Sequence, residues 1–268
     1  MALKNKNKRK SAVPSSLLER KHILSDESPF AVQEAYKTLR TNLIFSAAGE
    51  GCKVILVTSP DQGEAKSTTA MNVAIAFARN KDKVLLIDCD LRMPTIAQKL
   101  ELRSAPGLTD FLVGQSPVSE TVRVTSSGMH VMPAGTVPPN PSELLGSENM
   151  KKLIAALRKH YDYIILDTPP VSLLTDAVVL SPVCDGVVLV SRQDQSSYKN
   201  MHEAVRRLEF AQARLLGFVM TDVKSEKKGG GHYKKYGYGY GYGYEKAAKG
   251  NARTGGAPRS GAVSNEPD

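Results

Sequence analysis

The chain has 268 residues, 41% hydrophobic and 24% charged, enough to bury one substantial core and carry polar ends. Its net charge of +9 is uneven: residues 1–10 and residues 224–268 each net +5, which leaves about −1 for residues 11–223, so a basic domain that grips nucleic acid is not expected. Three scattered cysteines (Cys52, Cys89, Cys184) make no disulfide framework or zinc pattern, no apolar run approaches the ~18 residues of a membrane span, and MALKNKNKRKSAV lacks a signal peptide's apolar core; the expectation is a cytoplasmic protein.

Residues 1–28 are polar and basic and read as a flexible arm, able to touch an anionic membrane surface or a partner, with solvated disorder the plainer reading. From Pro29, PFAVQEAYKTLRTNLIFSAA reads as a helix, with Pro29 near its start and Ala31, Ala35, Leu39 and Leu43 at near-helical spacing. Glu34, Lys37 and Arg40 recur every three residues along one side, where they form either an intrahelical ion pair or a subunit contact.

The stretch VILVTSPDQGEAKSTTAMN (Val54–Asn72) begins with four apolar residues of a buried parallel strand, passes through a turn-rich segment and opens an Ala-rich helix at Lys66-Ser67-Thr68. That is the outline of a phosphate-binding loop, whose chemistry needs N–H groups at a helix N-terminus, a lysine reaching the phosphate oxygens and a hydroxyl on Mg²⁺. Lys66 and Ser67 stand at those places, and Gly63, Glu64, Ala65 and Thr68 complete the nucleotide-binding stretch. Pro60 occupies the first glycine position of the usual pattern and Ala65 the second, so the stretch alone also fits any strand-turn-helix.

A second apolar strand, Val84–Ile87, ends in Asp88-Cys89-Asp90-Leu91-Arg92; side chains alternate along a strand, so Asp88 and Asp90 project the same way at its C-terminal end. Two carboxylates there are costly without a cation, which Mg²⁺ on a bound nucleotide would supply, while an Asp90–Arg92 loop brace is a compatible alternative. Further on, Tyr163-Ile164-Ile165-Leu166-Asp167 is an apolar strand ending in a carboxylate, the Walker B arrangement. Loop, acid pair and second acidic strand in one chain make nucleotide binding the reading to carry forward.

Further strands are predicted at His130–Met132, Val187–Ser191 and Gly217–Thr221, and helices at about 148–159 and 198–212, so the fold class is α/β: a mostly parallel sheet covered on both faces. Pro133–Glu143 is a proline-rich loop that lines the base pocket or caps the sheet. After residue 224 comes HYKKYGYGYGYGY, where Tyr233, Tyr236, Tyr238, Tyr240, Tyr242 and Tyr244 hold six of the ten tyrosines. Interleaved glycines and basic flanks predict a disordered tail with exposed phenols: a sticky low-complexity segment, a stacking platform or, beside a nucleotide-triphosphate site, a row of phosphoacceptors.

These residues resemble the bacterial tyrosine kinases of capsule and exopolysaccharide synthesis, of P-loop NTPase type, over about residues 29–244. The resemblance is carried by VILVTSPDQGEAKSTT as Walker A, VLLIDCDLR as the second Walker motif peculiar to the family, YIILDTPP as Walker B and the tyrosine tail, with EAYKTLRTN and PPNPSELL in support. Related partition and cell-division ATPases share the sheet but not the tail, and resemble one another in a lysine five residues before the Walker lysine, where this chain has Asp61.

The resemblance implies a flexible arm (1–28), a kinase domain (29–223) and a tail (224–268) that is phosphorylated on its tyrosines, first by a neighbouring subunit, with ATP and Mg²⁺ as cofactors. Lys66 would neutralise phosphate charge, Ser67 and Asp90 would hold Mg²⁺, Asp167 would support the metal through water, and Asp88 would orient or deprotonate the phenol. It further implies a transmembrane polysaccharide co-polymerase adaptor that recruits the chain to the inner face of the membrane, a ring-like homo-oligomer built on Glu34, Lys37 and Arg40, protein substrates of polysaccharide synthesis and a cognate tyrosine phosphatase. Two residues depart from the family: Lys37 replaces an arginine, which predicts weaker ring assembly, and Ala65 replaces a glycine. A non-kinase ATPase switch and a catalytically silent adaptor are the alternatives.

Overall fold

The computed structural model describes residues 22–224, so the tail tyrosines Tyr233–Tyr244 and the first 21 residues lie outside the described residues. Val54–Val57, all buried, form the body of β1 (Lys53–Thr58), inside a seven-stranded sheet with β2 (Val84–Asp88), β3 (Arg123–Val124), β4 (His130–Met132), β5 (Tyr163–Asp167), β6 (Gly186–Arg192) and β7 (Leu215–Thr221). The order is β3-β4-β2-β5-β1-β6-β7, parallel throughout except for the β3–β4 pair.

Alternation along β1 gives the sheet two cores. Ile55 and Val57 face α1 (Phe30–Ser46) and α2 (Lys66–Ala78), packing with Leu43, Met71, Ala74 and Phe77. Val54 and Leu56 face the other side, with Leu153 of α7 (Glu148–Leu157), Leu180 of α8 (Asp176–Leu180) and Leu208 of α9 (Tyr198–Phe210). Short helices α3 (Ile96–Lys99), α4 (Leu108–Leu112), α5 (Val118–Thr121) and α6 (Pro141–Leu145) fill the connections.

The strands and long helices expected from periodicity are present, and Pro29 is the N-cap of α1. Two expectations need correction. The proline-rich segment is not loop throughout: Pro141 takes the first position of α6, where its missing N–H costs nothing. Upstream of α6 the loop is pinned by the Asp110 carboxylate, which accepts from Gly107 N (2.7 Å) and Thr136 Oγ1 (2.8 Å).

The second correction concerns the arm, because residues 22–28 are packed on the domain. Asn72 of α2, 1% exposed, accepts from Leu24 N (2.7 Å) and donates to the His22 carbonyl (2.8 Å), while Leu24 enters the core and Arg79 pairs with Asp26 at 2.7 Å. One apolar residue and one amide matched to the backbone suffice to dock a segment whose composition reads as polar.

On α1, Glu34 and Lys37 form the intrahelical ion pair at 2.7 Å, and Arg40 donates to the Ala76 carbonyl of α2 at 3.0 Å. Both contacts lie within the chain.

Candidate active site

β5 lies between β1 and β2, and this insertion builds the site. The phosphate-binding loop follows β1, Asp88 ends β2 and Asp167 ends β5, with Asp88 and Asp167 opposite each other in the parallel ladder. All three strands end on the same edge of the sheet, the place where α/β sheets bind ligands.

The loop 59–65 enters α2 through Ala65, which holds φ 65° and ψ 23°, the left-handed conformation that glycine adopts without cost. No side chain caps α2 and its first turn has no acid, so its leading N–H groups remain open to an anion. Lys66 Nζ lies 3.0 Å from Asp90 Oδ2, 3.6 Å from Asp167 Oδ1 and 3.2 Å from Ser67 Oγ. Burial alone would lower the Lys66 ammonium, but Asp167 and Asp90 outweigh it and hold it above the ordinary lysine value.

Asp88 is fully buried; Oδ1 accepts from Asp90 N (3.2 Å) and Oδ2 from Ile96 N (3.1 Å), leaving each oxygen one further lone pair. Burial, then the Asp167 charge, pushes its pKa up to about 8. Asp167 is raised as well, burial again the main cause, with Lys66 and then the nearby Ser67 hydroxyl opposing it; both its oxygens are buried and neither accepts a hydrogen bond of normal geometry, Lys66 Nζ standing 3.6 Å from Oδ1. Two orphaned carboxylate oxygens beside a lysine and a serine hydroxyl fit a hydrated divalent cation. Mg²⁺ is commonly held by one or two carboxylates together with phosphate oxygens, a donor set whose protein part Asp90, Asp167 and the Ser67 hydroxyl could supply here.

The site thus gathers Lys66, Ser67, Asp88, Asp90 and Asp167. Gly63, at φ 85°, and Thr68 complete the loop and the first turn of α2. Glu64 contributes backbone only: its buried side chain turns inward, accepts from Ser196 Oγ, and has a pKa raised by burial. Glu34, Lys37 and Arg40 sit on α1 and bring no group to this cluster.

Sequence reasoning missed the braces around the loop. Asn200 Nδ2 donates to Asp61 Oδ2 (2.6 Å), Gln195 Nε2 to the Gln62 carbonyl (2.9 Å) and Thr221 Oγ1 to the Glu64 carbonyl (3.2 Å). The serines before α9 signal a helix start, and Ser197 does cap it, but nothing local announces partners more than 130 residues away. Arg92 does not brace Asp90; its guanidinium is committed to Asp176 (Nε–Oδ2 3.1 Å) and Ser142 Oγ (2.9 Å).

A central parallel sheet, a loop-to-helix anion site and carboxylates on the neighbouring strand ends define a P-loop nucleotide-binding domain. In agreement, a family profile described as an AAA domain matches residues 52–217. The chain is 38% identical over 213 residues to the tyrosine-protein kinase YwqD of Bacillus subtilis (strain 168), covering 79% of this chain and 90% of that one. Among solved structures, the chimerical protein CapA2B2 superposes with a TM-score of 0.70 at 32% identity (77% of this chain, 89% of that one). The kinase domain of the Escherichia coli tyrosine kinase ETK gives 0.68 at 29% (74% and 80%). The chain belongs to the bacterial tyrosine-protein kinase family and is a protein-tyrosine kinase.

Proposed function

We propose that this kinase uses Mg²⁺ and ATP to phosphorylate the tyrosines at positions 233, 236, 238, 240, 242 and 244 on a neighbouring copy of itself, and that the cycle regulates capsular or exopolysaccharide polymerisation and export. The observation that carries the reading is the orphaned Asp167 carboxylate beside Lys66, Ser67, Asp88 and Asp90 at the mouth of an open helix N-terminus. Bound nucleotide with its metal supplies the transferable phosphoryl group and the positive charge that lets three carboxylates coexist. Ser67 and Asp90 would hold that metal, with Asp167 behind it.

The chain's own groups do the rest. Lys66 offsets charge on the phosphates, and the leading amides of α2 orient them. Asp88 orients the phenol or takes its proton; a phenol of pKa ~10 is mostly protonated at neutral pH, and a carboxylate brought into its charged form by the bound cation would receive that proton as the oxygen attacks. In this reading the three units are an arm, a kinase domain and a tail, the arm ending before the docked residues 22–28.

No helix among the described residues is long and apolar enough to cross a membrane. In this reading a transmembrane co-polymerase adaptor brings the kinase to the inner membrane face. Glu34, Lys37 and Arg40 would contribute to a ring of copies, and a tyrosine phosphatase would reset the tail. Protein substrates of polysaccharide synthesis are the further acceptors.

Phosphotyrosine mapping after incubation with ATP and Mg²⁺ tests this, comparing the native protein with Lys66→Met, each with and without an adaptor's cytoplasmic segment. Label on Tyr233–Tyr244 that vanishes in Lys66→Met is expected. Label confined to other proteins would refute the tail as acceptor.

A further inference from the structure

Three loops leave the ligand-binding edge of the sheet after β2, β4 and β5, and one group of side chains ties them together. Arg92, two residues beyond Asp90, reaches Asp176 at the start of α8 through Nε–Oδ2 (3.1 Å) and Nη2–Oδ1 (3.3 Å). The same guanidinium donates to Ser142 Oγ of α6 (2.9 Å), and Ser142 Oγ in turn donates to Asp176 Oδ1. Asp176 is 0% exposed. The carboxylate is buried and the Arg92 side chain 36% exposed, so the pair is half-sheltered, and the planar fork together with Ser142 gives this joint a defined geometry.

Between the joint and the site lies a very short piece of chain. Asp90 Oδ1 accepts from Met93 N (3.0 Å) and Oδ2 from Lys66 Nζ (3.0 Å), while Asp90 N donates to Asp88 Oδ1 (3.2 Å). The turn 90–93 is thus closed on itself at one end and anchored by Arg92 to two other elements at the other.

We propose that Arg92 is a positioning residue of the kinase: with Ser142 and Asp176 it sets the Asp90 carboxylate for the metal–nucleotide complex. This rests on the assignment of Asp90 as a metal-holding group. Lysine at position 92 would keep the charge but lose the fork that spans Asp176 and Ser142 together.

The test is the Mg²⁺ dependence of fluorescent mant-ADP binding to the full chain, a readout needing no acceptor tyrosine, followed with the melting temperature. Asp90→Asn is the reference and should raise the Mg²⁺ concentration required for half-maximal tight binding at least tenfold. Arg92→Gln should raise it at least fivefold and also lower the melting temperature, because Asp176 is left buried and unpaired. The neutral pair Arg92→Gln with Asp176→Asn should recover the melting temperature but not the Mg²⁺ requirement, and Arg92→Lys should recover neither fully. Ser142→Ala, which leaves the ion pair in place, should shift the Mg²⁺ requirement two- to threefold and keeps the test alive if the other variants fail to fold. A native Mg²⁺ requirement in the stable double variant would reduce Arg92 to a structural prop and overturn the proposal. No effect of Asp90→Asn would remove the assignment beneath it, whereas an effect of Asp90→Asn with none of Arg92→Gln or Ser142→Ala would sink the joint alone.

Discussion

At the scale of single residues, Ala65 carries the clearest mark of compromise. Its φ of 65° places a β-carbon in the left-handed region at a cost of about 1 kcal/mol, at the position where the backbone meets the phosphates. Ala65→Gly removes that strain and clears the approach, although added freedom of the unfolded chain offsets part of any gain in stability. The expected outcome is several-fold tighter ATP binding by calorimetric titration with little change in melting temperature. Equal affinity would mean that the loop already accommodates the methyl group.

The acid cluster makes a second residue-scale prediction. Asp88, lifted to about 8 chiefly by burial, keeps its proton in the folded chain across a range where the unfolded chain has lost it. The folded state then binds more protons than the unfolded state, so this contribution to stability is full below about pH 4 and falls as pH rises from 3.8 to about 8. The carboxylates with lowered values, Glu148, Glu203 and Asp222, titrate at or below the acid end of this window and do not cancel the slope. Urea unfolding in EDTA at pH 5.5 and 8.0 should show the decline, and Asp88→Asn should reduce it, the raised Asp167 and Glu64 carboxyls keeping a residual slope of the same sign. The same measurement with Mg²⁺ and nucleotide should recover the stability at pH 8, since a cation among the carboxylates favours their charged forms.

Among the elements, α2 is the common support: it starts at the phosphate site, carries Arg40 of α1 on its Ala76 carbonyl, and holds the 22–28 segment through Asn72. Asn72→Ala would leave the buried Leu24 N–H without its partner, while the His22 carbonyl, on an exposed residue, can turn to water; the expected loss is about 1–3 kcal/mol by denaturant unfolding. Amide exchange should show the N-terminal segment released first, with α1 remaining protected. By contrast, the Glu34–Lys37 pair on exposed α1, with side chains 44% and 57% exposed, contributes little within one chain, so its removal should leave monomer stability unchanged. An element can therefore be polar in composition and still docked, or ion-paired and still free to serve an interface.

For the whole molecule, charge is the variable that phosphorylation changes most. Six phosphotyrosines would add about −9 to −12 to a tail that begins near +5. Repulsion between such tails, and from an anionic membrane surface, is expected to loosen any assembly; sedimentation velocity of fully phosphorylated and dephosphorylated protein should then show a smaller species for the former. Equal sizes would count against cycling by charge.

Much of this was legible in the chain itself because the information is local. A buried strand, a turn and a helix beginning Lys66-Ser67 follow from residue type and spacing, as do the acids at the ends of β2 and β5 and the parallel, helix-covered sheet. The rest depends on partners distant in sequence. The placing of β5 between β1 and β2 turned three separate motifs into one cluster, and the packing behind it gave Arg92 to Asp176 rather than to Asp90. The bracing of the loop by Gln195 and Asn200 and the docking of Leu24 on Asn72 likewise left no local signal. Spacing fixes which face of an element a side chain occupies; which other face it meets is settled by packing the whole chain at once, where a buried polar group must find its partner wherever the fold has put one.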